Sequence, residues 1–261
     1  MPCTRADHHP LVSAPVTQTG HSPAVDATHA LSPVPSAAAR RDQPVPGRIR
    51  YYFGPMACGK STLALQIDHN HARQGRRGLL LVRHDRSGTP TITSRIGITR
   101  DAIEVHEEMN IQDLVRAQWA GNQRVDYLIV DEAQFLSPCQ VEQLAELADH
   151  AQVDVYCFGL AIDFRSHLFP GTQRLVELAD ELHPVQVEVL CWCGFPGRFN
   201  ARTQDNRILR EGDTVLVADT EDAASDPDAE STVRYQVLCR RHYRSGELGP
   251  RTTSAGQLSL A

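Results

Sequence analysis

A glycine-rich segment with the pattern G-x-x-x-x-G-K-S lies at residues 54–61. In this pattern backbone N–H groups converge on a β-phosphate, Lys60 reaches the β- and γ-phosphates, and the Ser61 hydroxyl binds Mg²⁺. A strand-forming run (48–53) precedes the segment and helix-forming sequence follows it, which is the context that the motif requires. The predicted phosphate-binding residues are Gly54, Pro55, Met56, Ala57, Cys58, Gly59, Lys60, Ser61 and Thr62.

Two adjacent carboxylates, Asp131 and Glu132, follow the apolar run 127–130. An acid at the carboxyl end of a buried strand near a phosphate loop suits the binding of Mg²⁺, and we predict this role for Asp131. A carboxylate in the next position can orient a water molecule, giving an ATPase, or accept a proton from a substrate hydroxyl, giving a kinase. These motifs alone do not choose between the two reactions.

Cysteine and histidine form a second pattern near the C-terminus. Cys191 and Cys193 are separated by one residue, and Cys239 precedes His242 by three. Together they offer a Cys3His set, which suits tetrahedral Zn²⁺. Because four protein ligands leave no open position, we expect the metal to be structural and to close a long loop.

The elements that must position these residues alternate between strand-like and helix-like runs. Apolar runs at 78–83 and 127–130 are typical of strands that are buried on both faces, and a further strand is expected at 153–160. Asn110 and Ser137-Pro138 each predict a helix start, Gly75 predicts the end of the first helix, and a further helix is expected at 173–180. This alternation predicts an α/β fold: a parallel sheet with helices on both faces.

Composition shifts divide the chain into four parts. Residues 1–47 hold half of the 16 prolines and no apolar periodicity, so we expect a disordered extension. Residues 48–184 form the predicted nucleotide-binding domain. Residues 185–245 carry the cysteines, short strand-like runs at 186–190, 214–218 and 235–238, and an acidic stretch at 219–230, so we predict a smaller metal-binding domain there. Residues 246–261 are predicted to be a flexible tail.

Charge and hydropathy exclude several protein classes. The net charge is −6 with a pI near 6.0, which argues against a protein that wraps nucleic acid non-specifically. No run of about 18 apolar residues predicts a membrane span. The first residues lack a basic segment followed by an apolar one, so no secretory signal is predicted and we expect a cytoplasmic protein.

From about Arg48 to Tyr243 the chain resembles the zinc-containing thymidine kinases of the cytosolic type. The resemblance is carried by GPMACGKST (54–62), SRIG (94–97), DEAQF (131–135), GLAIDFR (159–165), LFPG (168–171), the C-x-C-G segment and YQVLCRRHY (235–243). It implies a P-loop NTPase (RecA-like) sheet and a small zinc-binding domain bearing a loop, often called a lasso, that closes over the nucleoside. The C-x-C spacing is a variant found among bacterial members.

The resemblance also implies roles for individual residues. It makes Glu132 the general base for the nucleoside 5′-hydroxyl and adds Asp85 and Gln134 to the residues around ATP and Mg²⁺. An apolar pocket around the thymine ring would include Met56, Phe135, Leu160, Phe164 and Phe169; without the resemblance, core packing would be the simpler interpretation of the phenylalanines. The lasso would contribute Thr214, Val215, Leu216, Val217, Ala218 and Tyr235, although two family glycines are replaced by Ala218-Asp219.

The implied function is transfer of the γ-phosphate of ATP to thymidine, and to deoxyuridine, with Mg²⁺ as cofactor and structural Zn²⁺. A homotetramer and feedback inhibition by dTTP are implied by the family alone. Two other functions are considered: a P-loop ATPase that couples hydrolysis to a conformational or assembly step, and a non-catalytic binding module. The second would predict loss of Lys60, Asp131 or Glu132, and all three are present.

Overall fold

The computed structural model describes residues 45–83, 90–94, 97–212 and 233–250. From Pro46 onward these residues belong to one compact unit. The domain boundary expected at 184/185 stays a prediction, and most of the 1–47 and 246–261 segments lie outside the described residues. The elements, in chain order, are β1 (Ile49–Phe53), α1 (Lys60–Arg73), β2 (Gly78–Val82), β3 (Thr91–Thr93), β4 (Thr99–Asp101), β5 (Ile103–Glu104), α2 (Ile111–Ala120), β6 (Tyr127–Asp131), α3 (Pro138–Ala151), β7 (Asp154–Gly159), α4 (Pro170–Leu178), β8 (Glu181–Pro184), β9 (Phe199–Gln204), β10 (Arg207–Ile208), β11 (Arg234–Leu238) and α5 (Arg240–Ser245).

A central sheet of six strands, in the order β5-β2-β6-β7-β1-β8, organises the larger part of the chain. Every pair of neighbouring strands in it is parallel. Their carboxyl ends therefore meet at one edge, where the loops after β1, β6 and β7 lie side by side. Open parallel sheets bind ligands at this edge, so the fold determines where the site can form.

Helices cover both faces of this sheet, as the sequence predicts. Because side chains alternate along a strand, β6 sends Leu128 and Val130 to one face and Tyr127 and Ile129 to the other. The first face packs against α2, α3 and α4, and the second packs against α1. All five residues of β6 are buried, which explains its continuous apolar sequence.

The predicted helix starts are confirmed by their capping contacts. The Asn110 side chain accepts hydrogen bonds from the backbone N–H groups of Gln112 (2.9 Å) and Asp113 (3.1 Å). The Ser137 hydroxyl accepts from the Gln140 N–H at 3.2 Å, while the Gln140 side chain accepts from the Ser137 N–H at 3.1 Å. This reciprocal pair, with Pro138 in the first helical position, fixes the start of α3.

One sequence prediction about local structure has shifted ends, and another is wrong. The helix predicted at 173–180 occupies Pro170–Leu178 instead, because Pro170 supplies a preformed first turn that the prediction overlooked. The run 186–190 is not a strand; only Leu190 forms an isolated bridge, with Pro196. β8 already pairs with β1 and ends at Pro184, just before this run.

A second, smaller sheet with the order β10-β9-β11 is antiparallel and lies beside α5. We call these strands, α5 and the turn at 191–197 the zinc lobe. Its apolar core is small: the buried members are Cys191, Ala201, Leu238 and Tyr243. Such a core stabilises a fold weakly, so a further cross-link is expected. Among the described residues no helix has the length and apolar character needed to cross a membrane.

Candidate active site and metal centre

The glycine-rich segment forms a loop between β1 and α1, as predicted. Ala57 and Gly59 adopt left-handed backbone conformations, with φ of 65° and 80°. A Cβ atom at Gly54 would lie 2.5 Å from the Cys58 sulfur, so a larger residue there would force the buried Cys58 side chain to move. No described side chain caps the N-terminus of α1. Its first N–H groups, with the positive end of the helix dipole, therefore suit a phosphate.

Lys60 is buried and folded back over this loop. Its ammonium group donates hydrogen bonds to the carbonyl oxygens of Pro55 (2.9 Å) and Gly54 (3.4 Å). These neutral acceptors hold the cation within the loop without neutralising it. The structure therefore places a positive charge beside the loop backbone, where phosphate oxygens would be recognised.

Ser61 and Asp131 meet across the α1–β6 contact. The Ser61 hydroxyl donates to Asp131 Oδ2 at 2.7 Å, and Asp131 Oδ1 accepts from the Glu132 N–H at 3.0 Å. Burial, and then the charge of Glu132, raises the pKa of the Asp131 carboxyl above its ordinary value. A divalent cation at this hydroxyl–carboxylate pair would favour the ionised form, so the donor set fits Mg²⁺.

Glu132 follows Asp131 but has different partners. Its backbone is left-handed, with φ of 53°, which turns the chain sharply out of β6. Its carboxylate accepts a hydrogen bond from the Gln134 side chain at 2.5 Å. Gln134 is buried, and its own oxygen accepts from the Leu160 N–H at 2.9 Å. Gln134 thus ties the Glu132 carboxylate to the backbone of Leu160, the residue that follows β7.

The residues expected in the apolar pocket have different neighbours. The rings of Phe135 and Phe169 meet edge to face, with centroids 5.4 Å apart. Phe164 is buried, and its ring contacts the guanidinium of Arg202, whose Cζ lies 3.8 Å from the ring centroid. Leu160, partly buried, accepts from the Tyr51 hydroxyl at 2.9 Å through its carbonyl.

Two further residues expected around the nucleoside have partners on β9 of the zinc lobe. The backbone N–H of Met56 donates to the Asn200 side chain at 2.8 Å. The Tyr235 hydroxyl accepts two hydrogen bonds from Arg202, at 3.1 and 2.9 Å. Asp85 and the lasso residues Thr214, Val215, Leu216, Val217 and Ala218 lie outside the described residues.

The structure brings together the four residues predicted to bind a metal. The sulfur and nitrogen atoms of Cys191, Cys193, Cys239 and His242 all lie within 4.8 Å of one another. His242 Nδ1 is 3.4 Å from the Cys191 sulfur and 3.6 Å from that of Cys239, and the Cys193 and Cys239 sulfurs are 3.9 Å apart. Tetrahedral Zn²⁺ with thiolate bonds of about 2.3 Å separates its sulfur ligands by about 3.8 Å, so the donor set fits zinc.

Sequence reasoning missed the groups around this cluster. Glu247 Oε2 lies 3.4 Å from His242 Nε2, the ring nitrogen that faces away from the thiols. Trp192 stacks on the same imidazole, with centroids 4.2 Å apart, and donates from its indole N–H to the Glu247 carbonyl at 3.1 Å. Carboxylates in this position orient metal-binding histidines. Trp192, between the two cysteines, was the sequence signal that could have indicated this packing, since an indole there can stack on a metal-binding histidine.

Asn200 and Arg202 were also missed. Both are buried, and they occupy alternate positions in β9. Polar residues at alternate positions of a short strand normally indicate a solvent-facing side, so the sequence pattern favoured exposure. Their burial becomes evident only from the packing of β9 against the phosphate loop at Met56 and against Phe164.

A parallel sheet with a phosphate-binding loop after its β1 strand, and a serine–aspartate pair beside that loop, defines the P-loop class of nucleotide-binding proteins. The family model described as "TK: Thymidine kinase" matches residues 47–243. The chain belongs to the thymidine kinase family, and it is an enzyme of the transferase class.

Individual relatives agree with this assignment. The thymidine kinase of Streptomyces coelicolor is 49% identical over 194 residues, covering 74% of this chain and 87% of the relative. That of Cutibacterium acnes is 48% identical, covering 76% and 89%, and that of Streptomyces avermitilis is 44% identical, covering 81% and 93%. Among solved structures, the Pif1 helicase of Candida albicans matches with a TM-score of 0.35 and 14% identity over 53% of this chain and 36% of that chain, which is too weak to support any conclusion.

Proposed function

We propose that this enzyme transfers the γ-phosphate of ATP to the 5′-hydroxyl of thymidine, and of deoxyuridine, producing dTMP or dUMP in the salvage of deoxynucleosides. The observation that carries the proposal is the division of partners between the two adjacent carboxylates. Asp131 is bound to Ser61, whereas Glu132 is held by Gln134. One acid is therefore assigned to the metal and the other is left to accept a proton.

The phosphate loop and Lys60 bind the triphosphate. When ATP enters, the Lys60 ammonium exchanges the carbonyls of Pro55 and Gly54 for phosphate oxygens, which are stronger, charged acceptors. Ser61 and Asp131 would hold Mg²⁺, which supplies charge neutralisation between the β- and γ-phosphates. Asp85 and Thr62 complete the proposed ATP-binding residues.

Glu132 acts as the general base. Its carboxylate takes the proton as the 5′-oxygen attacks the γ-phosphorus, a P–O bond forms to the nucleoside, and ADP leaves. Gln134 contributes by holding this carboxylate, since its amide occupies Oε2 at 2.5 Å. Its other end is fixed by the Leu160 N–H at 2.9 Å, so the base is tied to the backbone of the pocket.

Apolar side chains form the proposed base pocket. Met56, Phe135, Leu160, Phe164 and Phe169 would surround the pyrimidine ring, with Tyr235 and the backbone of 214–218 closing over it. Such a pocket accepts the thymine methyl group, while backbone N–H and C=O groups can recognise the polar edge of the base.

The Cys3His cluster would hold structural Zn²⁺. All four coordination positions are filled by protein, so the metal would cross-link the turn at 191–193 to the start of α5 and take no part in the reaction. We further propose a domain boundary near residue 184, inhibition by dTTP, a homotetramer and a cytoplasmic location. These four statements rest on the family and on the sequence pattern.

A panel of nucleosides tests the reaction. The purified, zinc-loaded enzyme is incubated with ATP, Mg²⁺ and, separately, thymidine, deoxyuridine, deoxycytidine, deoxyadenosine and deoxyguanosine. We expect monophosphate only from the first two. ATP consumption at full rate without any nucleoside, together with no dTMP, would refute the proposal in favour of an ATPase.

A further inference from the structure

Arg202 is an unusual side chain for the interior of a small lobe. It is 0% exposed, and it lies on β9, the central strand of the smaller sheet. Its Nε and Nη2 atoms donate to one acceptor, the Tyr235 hydroxyl, at 3.1 and 2.9 Å. Its guanidinium carbon is 3.8 Å from the centre of the Phe164 ring. No described carboxylate forms an ion pair with it.

This arrangement is unfavourable for folding. A buried guanidinium stays charged, and the transfer of an unpaired charge out of water is costly. The third nitrogen group, Nη1, has no hydrogen-bond acceptor among the described residues. Apolar residues of similar volume often replace buried ions without loss of stability. Among the described residues, the contacts of Arg202 therefore point to a role other than stabilising the lobe.

The contacts of Arg202 suggest why an arginine occupies this position. Phe164 lies in the segment between β7 and α4, whereas Tyr235 lies on β11 of the zinc lobe. Arg202 donates hydrogen bonds to Tyr235 and stacks on Phe164, so it fixes the distance between these two residues. Two positions earlier on β9, Asn200 accepts from the Met56 N–H at 2.8 Å. Alternate residues of one strand thus reach three residues of the proposed pocket.

We propose that Arg202 is a positioning residue for nucleoside binding, which holds Phe164 and Tyr235 at the spacing that the pyrimidine ring requires. The inference rests on the proposed function and adds a determinant of nucleoside affinity to it. It predicts that Arg202 affects the nucleoside and leaves ATP binding almost unchanged, because its contacts are with the pocket and not with the phosphate loop.

Replacement by methionine tests the inference. In Arg202→Met we expect the melting temperature to be unchanged or higher, because an unpaired buried charge is removed. We expect KM for thymidine to rise about tenfold to a hundredfold, as small misplacements of binding groups do, with KM for ATP and the zinc content unchanged. Arg198→Met, at an exposed arginine just before β9, is the matched control and should behave as wild type.

A conservative change provides an independent measurement. Tyr235→Phe keeps the ring and removes the oxygen that accepts both hydrogen bonds from Arg202. It should also raise KM for thymidine selectively, and the double variant should be no worse than Arg202→Met alone, because both changes break one coupling. If Arg202→Met does not fold, the KM values of Tyr235→Phe for thymidine and for ATP test the inference instead.

Two results would overturn the inference. One is an unchanged KM for thymidine in a folded Arg202→Met or Tyr235→Phe enzyme. The other is a parallel loss of thermal stability, zinc and affinity for both substrates, which would indicate a purely structural arginine. A wild-type enzyme that makes no dTMP would refute the proposed reaction instead, so the two failures are distinguishable.

Discussion

Replacement of Glu132 by glutamine should abolish most of the turnover while leaving the site assembled. The amide oxygen of the introduced side chain can still accept the hydrogen bond that Gln134 donates to the carboxylate at 2.5 Å. The left-handed backbone at this residue is equally available to glutamine. Ser61 and Asp131, the residues proposed to bind Mg²⁺, are not altered by this change.

The expected magnitude follows from the loss of a general base. Such a group contributes about two to four orders of magnitude, so kcat should fall by that factor, equivalent to about 2.7–5.4 kcal/mol in the barrier. The assay is dTMP formation under saturating ATP and thymidine, with thymidine affinity measured separately by calorimetry. Affinity should stay near the wild-type value.

A matched control separates the base from general effects of charge removal. Glu188→Gln, at an exposed residue, changes the net charge equally and should keep full activity. If Glu132→Gln turns over near the wild-type rate, Glu132 is not the base. If it instead loses thymidine affinity in proportion to kcat, the carboxylate binds substrate and does not accept the proton.

Two further predictions concern the metal cluster and Asp154, the first residue of β7. Glu247→Gln should lower zinc affinity by about 10–100-fold, measured by competition with a chelator, because Glu247 orients His242; an unchanged affinity would remove Glu247 from that role. Asp154→Asn should destabilise the fold by about 1–2 kcal/mol at neutral pH. Burial alone would raise the pKa of Asp154, but the 2.7 Å hydrogen bond from Arg76, together with nearby Arg50, lowers it. The carboxylate therefore stabilises the fold at pH values above its ordinary pKa of about 3.9, and this contribution is lost as the pH falls through the lowered pKa of the folded state. Wild type and variant should converge in urea unfolding at acid pH, and a constant difference at every pH would contradict this.

Most of the sheet could be predicted because its signals are local. The apolar strand β6 is buried along its whole length, and the capping residues Asn110 and Ser137 each act within three residues. The failures are non-local. Whether the run at 186–190 becomes a strand depends on pairing with another segment, and the sequence of the run does not specify that partner.

The candidate site divides in the same way. The phosphate loop and the adjacent acids are contiguous motifs, so their residue types and spacing reveal them directly. Arg202 and Asn200 gain their positions only when β9 packs against segments more than 30 residues distant, as the 3.8 Å contact with Phe164 shows. An isolated arginine in a strand is ordinarily a surface residue, and only its burial marks it as different.

The placement of the Cys–His cluster would let a bound ion influence the proposed pocket without touching a reactant. The zinc lobe has a small apolar core, yet the Tyr243 hydroxyl donates to the Phe164 carbonyl at 2.7 Å and the Asn200 side chain accepts from the phosphate loop at 2.8 Å. Tyr243 follows His242 directly in α5, and Asn200 lies on the strand paired with β11. A metal cross-link at His242 would therefore fix both contacts. Four ligands to one ion would stiffen a lobe whose apolar core has few members.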